Sequence, residues 1–188
     1  MEDQLGNFLS EHIKNLTDDV FDEICTHFSP INVKRNQILS RPGRLMRHLY
    51  FINRGCLRTY RLNIHDLEIT SDLAFEESFN MLTPEFLKRT TGEYYIQALE
   101  KSELLTISLD SFKNLALKYA HFYLGIFYTT YIRRQEVSSK IQEDDAIARY
   151  VWFKTTKPEV VARVPDKYIA SYLGMSTRTL IRAKETLK

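Results

Sequence analysis

The spacing of hydrophobic positions changes twice along this chain, and each change marks a new kind of element. Leu5 to Ile13 and Asp18 to Phe28 carry apolar residues at helical spacing, which predicts two short helices. Thr17, just ahead of Asp18 and Asp19, suits the N-cap of the second, because acids in a first turn favour the positive end of the helix. From Ile31 to about Ser108 the apolar runs shorten and approach alternation, at 37–39, 48–52, 56–62, 67–73, 94–99 and 104–108. Turn signals separate them at Arg41-Pro42-Gly43, Asn53-Arg54-Gly55, Asn63–Asp66 and Thr90-Thr91-Gly92. Short strands at such spacing predict an antiparallel sandwich or roll, with one partly helical interruption from Glu76 to Lys88.

After Asp110, which reads as an N-cap, the pattern turns helical and stays so. Tyr123, Phe127, Thr130, Arg134, Val137 and Ile141 advance by alternating steps of four and three, an a/d-like seam, and Phe122 and Ile126 add a second stripe. A helix apolar on two sides packs on its own domain with one and on a partner with the other. Thr130 and Arg134 interrupt the seam as partner-specifying residues do, so these six positions are the expected dimer interface; a helix buried inside a monomer is the alternative. Asp144-Asp145 then open a helix from Ala146 to Thr155, which stops near Lys157-Pro158, and a short loop leads to Val164-Pro165.

The most particular segment is Asp166 to Leu187. Pro165 suits a first helical position, and Ile169, Ala170 and Leu173 make one buried face. Gly174 falls where a tight inter-helix turn needs a positive φ, and Ser176 can cap the second helix. Leu180, Ile181 and Leu187 are available for its inner side; Thr177, Arg178 and Arg182 remain for the outer one, with Thr179 and Lys184 nearby. This is the pattern of a helix-turn-helix, whose second helix enters the DNA major groove. Arg178 and Arg182 can pair with guanine, Thr177 and Thr179 can meet a thymine methyl or a phosphate, and Lys167 and Ser176 belong to the phosphate contacts. Any αα-hairpin ending a domain also uses Ala, Gly and a Ser cap, but the run IAxxLGxSxxTLxR is more particular than that.

Composition permits this reading without demanding it. The chain has 188 residues, a net charge of +2 and only six Gly and five Pro, so it is neither fibrous nor low in complexity. Residues 132–188 hold 12 Lys/Arg against 7 Asp/Glu, whereas residues 1–131 hold 14 against 17: a mildly acidic front and a basic back. The start, MEDQLGNFLSEH, has no cationic-then-apolar ramp, and no apolar stretch reaches the length of a membrane span, so the expected compartment is the cytoplasm. Cys25 and Cys56 form no CxxC and read as small buried hydrophobes.

Taken in order, a roll, a long helix and a terminal helix-turn-helix resemble the Crp/Fnr family of bacterial transcription regulators over nearly the full length. The closest pieces are Leu49-Tyr50-Phe51-Ile52-Asn53-Arg54-Gly55-Cys56-Leu57-Arg58, similar to the family's roll turn, and Val164–Leu187, similar to its helix-turn-helix. The chain looks most similar to short members typical of Bacteroidetes. The implied fold is α+β: an N-terminal antiparallel β-roll (a double-stranded β-helix of cyclic-nucleotide-binding type) with flanking helices, then a long dimer helix, then a small helix-turn-helix domain. The boundaries expected are 1–118, 119–143 and 144–188, and an end at Lys188 leaves no wing after the recognition helix. The implied partners are double-stranded DNA, a second copy of the chain, a small-molecule effector and RNA polymerase, with no membrane.

The resemblance breaks where a cyclic nucleotide would sit. Family members that bind one hold its phosphate with an Arg followed by Ser or Thr; counting back from Ala98, Gly92 takes the Arg position and Tyr95 the hydroxyl position. Glu76, Glu77 and Glu93 nearby would repel an anion, and Arg89 lies three residues out of register. Tight cyclic AMP binding is therefore not expected. Another ligand would meet Phe79, Arg89, Tyr94, Tyr95, Tyr128 and Tyr131, although aromatic residues at these places equally suit a plain core.

Catalysis has no support. The five histidines form no HxH or HxxxH, two distant cysteines cannot hold an iron–sulfur cluster, and there is no GxSxG, P-loop or GxGxxG. No cofactor and no metal are expected. The expected function is a dimeric regulator binding a two-fold symmetric operator under an effector other than cyclic AMP. The alternative is a ligand-binding or protein-interaction module whose helix-turn-helix no longer binds DNA.

Overall fold

The computed structural model describes residues 2–80 and 83–187. Its first helices are α1 (Glu2–His12) and α2 (Asp18–Thr26), and the Thr17 hydroxyl caps α2 by accepting from the Val20 N–H at 3.4 Å. The chain then runs through β1 (Phe28–Val33), β2 (Ile38–Ser40), β3 (His48–Arg54), β4 (Leu57–Leu62), β5 (Glu68–Ala74) and β6 (Ser78–Phe79). A short helix α3 (Pro84–Lys88) precedes β7 (Tyr95–Ala98) and β8 (Ser102–Ser108). The remainder is helical: α4 (Leu109–Lys118), α5 (Ala120–Glu143), α6 (Ala146–Thr156), α7 (Pro158–Arg163), α8 (Asp166–Tyr172) and α9 (Thr177–Thr186).

The strands form two four-stranded sheets in the orders β1-β8-β3-β6 and β2-β7-β4-β5, with antiparallel pairing throughout the described ladders. Register is fixed by pairs such as Leu49↔Ile107, Phe51↔Leu105 and Leu57↔Ala98, all of them core residues. Strand β3 departs from the expected alternation. Leu49, Tyr50, Phe51 and Ile52 are all buried, so this strand is covered on both faces, with α1 against it. Phe8 of α1 meets Phe51 and Phe79 edge-on at 5.9 and 5.2 Å, and Phe79 also meets Phe28 and Phe122.

Two compact units result. One comprises Met1–Tyr60 and Asp72–Tyr131; the other comprises Arg61–Ser71 and Ile132–Lys188. The second unit is therefore built from two separate stretches of chain, the tip of the β4–β5 hairpin and the C-terminal helices. Within it, Ser171 of α8 accepts from the Thr70 N–H at 2.9 Å and donates to the Glu68 carbonyl at 3.1 Å. Strand β5 is the last in its sheet, so one hydroxyl occupies two backbone groups of an open edge.

Several local expectations need correction. The helix after β8 is capped by Ser108, which accepts from the Ser111 N–H at 3.1 Å, and not by Asp110, which lies in its first turn. The helical run is not continuous either, because Tyr119 at φ −125° and ψ 79° separates α4 from α5. Helix α2 ends at Thr26, since Phe28 already belongs to β1. Pro158 starts α7 where a loop was expected, as its fixed φ suits a first turn. Pro165 is the residue before α8 rather than its first. Cys25 is half-buried, while Cys56 is buried. The chain end at Lys188, read as leaving no wing, lies outside the described residues, as do positions 81 and 82 within the 76–88 interruption.

Candidate functional site

Helix α9 presents the clearest division between an inner and an outer face. Leu180 and Ala183 are buried, whereas Thr177, Arg178, Ile181 and Arg182 are exposed. Ser176 fixes where the helix begins: its hydroxyl accepts from the Thr179 N–H at 3.1 Å and bonds the Thr179 hydroxyl at 2.8 Å. Thr179 is consequently half-buried and occupied, which leaves Thr177, Arg178 and Arg182 as the free outer polar groups of the expected set. Among the described residues neither Arg178 nor Arg182 is in an ion pair. Two guanidinium groups one turn apart can donate to phosphate oxygens or to guanine edges.

The turn that sets α9 against α8 is specified in detail. Gly174 has φ +64°, its N–H donates to the Ser171 carbonyl at 3.3 Å, and the Met175 N–H donates to the Ala170 carbonyl at 2.9 Å. This is a Schellman motif, in which glycine at the left-handed position costs least. Arg149 of α6 adds a contact that sequence reasoning missed. Its guanidinium donates to the carbonyls of Leu173 and Gly174 at 3.0 and 3.4 Å, satisfying the end of α8 from a neighbouring helix. Lys184 on α9 is held in an ion pair with Asp166 on α8. Lys167 is exposed near the start of α8, its ammonium 4.7 Å from the Tyr168 ring.

The expected dimer positions on α5 divide between buried and exposed. Thr130 and Val137 are buried, and the Thr130 hydroxyl is spent on its own helix, donating to the Ile126 carbonyl at 2.7 Å. Tyr123 is half-buried, Arg134 is exposed, and Ile141 lies 3.2 Å from where a Cβ on Gly174 would stand. Phe127 is exposed and belongs to a ladder of stacked rings, 6.1 Å from Tyr123 and 5.6 Å from Tyr131. Together with Leu124 and Tyr128, Phe127 and Tyr131 form an exposed apolar strip along the first half of α5.

The expected ligand residues occupy several different surroundings. Phe79 lies wholly in the aromatic core. Tyr95 stacks on Tyr60 with ring centroids 4.8 Å apart and planes 7° apart, and the buried Arg58 guanidinium lies 4.2 Å from the Tyr60 ring. Tyr94 and Gly92 line a narrow crevice beside Arg41, Arg44 and Glu85, where a Cβ on Gly92 would stand 2.8 Å from the Glu85 Cγ. Glu76 accepts from the Gly55 N–H at 2.7 Å, and Glu77 accepts from the Asn7 amide at 2.9 Å. Tyr128 and Tyr131 belong to the exposed strip just described. Arg89 donates to both carboxylate oxygens of Asp110 at 2.7 Å, and the two line a cleft of about 420 Å³ with Arg47 and His48. His48 is held below the usual imidazole range, mainly by burial and further by the Arg47 charge.

Residues 30–119 match the family model described as the cyclic nucleotide-binding domain. No curated protein sequence matches the chain. Solved structures similar to it include FixK2 from Bradyrhizobium japonicum, at TM-score 0.70 and 13% identity, covering 85% of this chain and 84% of that one. A transcriptional regulator of the Crp/Fnr family from Eubacterium rectale is similar at TM-score 0.70 and 18% identity, covering 96% and 87%. The c-di-GMP-responsive global regulator CLP of Xanthomonas campestris is similar at TM-score 0.68 and 16% identity, covering 91% of each chain.

Proposed function

We propose a DNA-binding function from one premise: residues 30–119 belong to the cyclic nucleotide-binding domain family, on the fold of the Crp/Fnr regulators. On this reading the protein is a cytoplasmic homodimer that regulates transcription by gripping a two-fold symmetric operator. The observation that carries it is the outer face of α9, where Arg178 and Arg182 stand exposed without an ion pair among the described residues. Helices α8 and α9 act as a helix-turn-helix, with α9 in the major groove. Arg178 and Arg182 read bases, Thr177 and Thr179 flank them, and Ser176, Lys167 and the amide end of α9 hold phosphates.

The dimer forms along α5, with Phe127 at the centre of its exposed strip and Tyr123, Thr130, Arg134, Val137 and Ile141 on the surrounding turns. An effector at the roll then couples to DNA affinity as a free energy shared between two sites. That effector is not cyclic AMP: the position that would carry the phosphate-binding Arg is Gly92, packed on Glu85, and Tyr95 is committed to Tyr60. RNA polymerase is the further partner this role implies.

The test is selection of bound sequences from a random duplex library by the full-length protein, beside an Arg178→Ala, Arg182→Ala double variant. A palindrome with half-site centres about one helical turn apart, lost in the variant, is expected. Sequence-blind binding by both proteins would overturn the reading.

A further inference from the structure

The roll carries a charge pattern that DNA binding does not use. Residues 24–65 contain eight Lys/Arg and no Asp or Glu. Within this stretch the turn after β2 brings Arg41, Arg44 and Arg47 to the surface within seven residues, and all three are exposed. Arg47 has no ion pair among the described residues. It lines the 420 Å³ cleft with His48, with Leu45 and Met46 at its apolar side, and with Ser108, Leu109 and Asp110 from the start of α4. The cleft is large enough for a small organic ligand.

Arg89 reaches the same cleft from the end of α3, and its backbone is unusual. It sits in the left-handed region at φ 55°, at a helix C-terminus where glycine is favoured. Of the five described non-glycine residues with positive φ, three are Asn or Asp, which tolerate that region; Arg89 and Glu77 are the exceptions. Backbone strain at one residue, retained with a guanidinium over a cleft, is the kind of feature that function keeps.

We propose that this cleft, on loop 41–47 and the start of α4, is a binding site for a small organic phosphate with an apolar body. Arg47 and Arg89 take the phosphate oxygens, and Leu45, Met46 and Leu109 take the apolar part. Asp110 works against binding: it holds Arg89 through both carboxylate oxygens, so the ligand competes for that guanidinium. The Asp110 pair thereby keeps the cleft closed to weak monoanions and selects a dianion able to draw Arg89 away. The site is a candidate for the effector of the regulator proposed above. It rests on that reading for its purpose and not for its binding.

The probe is phenyl phosphate, titrated calorimetrically into the full-length protein at low salt, with phenol as the uncharged control. Saturable binding at one site per chain is expected, with none for phenol. Arg47→Ala and Arg89→Gly each weaken it about tenfold, as removal of a charge-assisted contact does, and the glycine also suits the backbone at position 89. Asp110→Asn tightens it several-fold. No saturable heat, or identical titrations in all four proteins, overturns the site. Because no DNA is present, failure of the DNA-binding reading leaves these outcomes unchanged.

Discussion

Tyr50 shows how a single side chain on β3 ties stability to pH. It is buried, its N–H donates to the Asn80 side-chain carbonyl at 2.7 Å, and burial pushes its hydroxyl up to about 12. The unfolded phenol titrates near 10. Because the folded value is raised, the contribution is complete below pH 10 and is lost as pH rises from about 10 to about 12. The expected loss across that window is about 2–3 kcal/mol. Chemical unfolding at pH 9 and pH 11.5 checks it: Tyr50→Phe should flatten the decline, and an equally steep decline would assign it to other groups. Gly174 and Arg149 work on one turn from opposite sides, the first by backbone freedom and the second by occupying orphaned carbonyls. Of these, Gly174 was legible, because a glycine between two apolar helical patterns has few other uses. Arg149 was not, since a side chain reaching 24 residues along the chain leaves no local pattern.

Among the elements, α5 carries the proposed assembly. Its periodicity points to a seam of six residues, yet Thr130 and Val137 are buried in the chain itself and the exposed apolar surface follows the row Leu124, Phe127, Tyr128, Tyr131. A heptad count weighs every a/d position alike, whereas the rest of the chain covers some and leaves others open. If the chain pairs along α5 as proposed, Phe127→Glu should leave it monomeric at micromolar concentration in sedimentation velocity where the unaltered chain is dimeric, because a charge would be buried without a partner. An unchanged dimer would mean that α5 does not pair through this row. Strand β2 and, apart from β6, the strands from 48 onward are legible from short runs between turns. Strand β1 was missed because Pro30 and a half-exposed pattern weaken its signal, and β6 because two residues carry no period. Helix α7 has no clear signal in the sequence, because a Pro closing an apolar helical run reads as a stop, although at a first turn proline is a start.

For the whole molecule, the order of roll, long helix and terminal helix pair was readable because each part has its own hydrophobic period. The chemistry of the roll was less so. Tyr95 and Phe79 are aromatic residues of the roll, but one stacks on Tyr60 and the other fills the core. Sequence gives a residue's type and strand, not which neighbour claims its face. Saturating cyclic AMP should accordingly leave the melting temperature unchanged within about a degree. A ligand at a hundred times its Kd adds about 2.7 kcal/mol and would raise it by several degrees, so such a rise would show that the roll does hold the nucleotide.

The bonds from Ser171 to β5 bear on how the chain comes into being. Glu68 and Thr70 are made roughly a hundred residues before their partner, with sequence separations of 103 and 101. During synthesis the Glu68 carbonyl and the Thr70 N–H therefore lack their Ser171 partner until the last helices emerge. A chain cut short after α5 would leave the ribosome with that part of the β5 edge uncovered and ready to pair with another strand. Two backbone groups of β5 thus wait for α8, whose arrival closes that part of the edge to pairing with another strand.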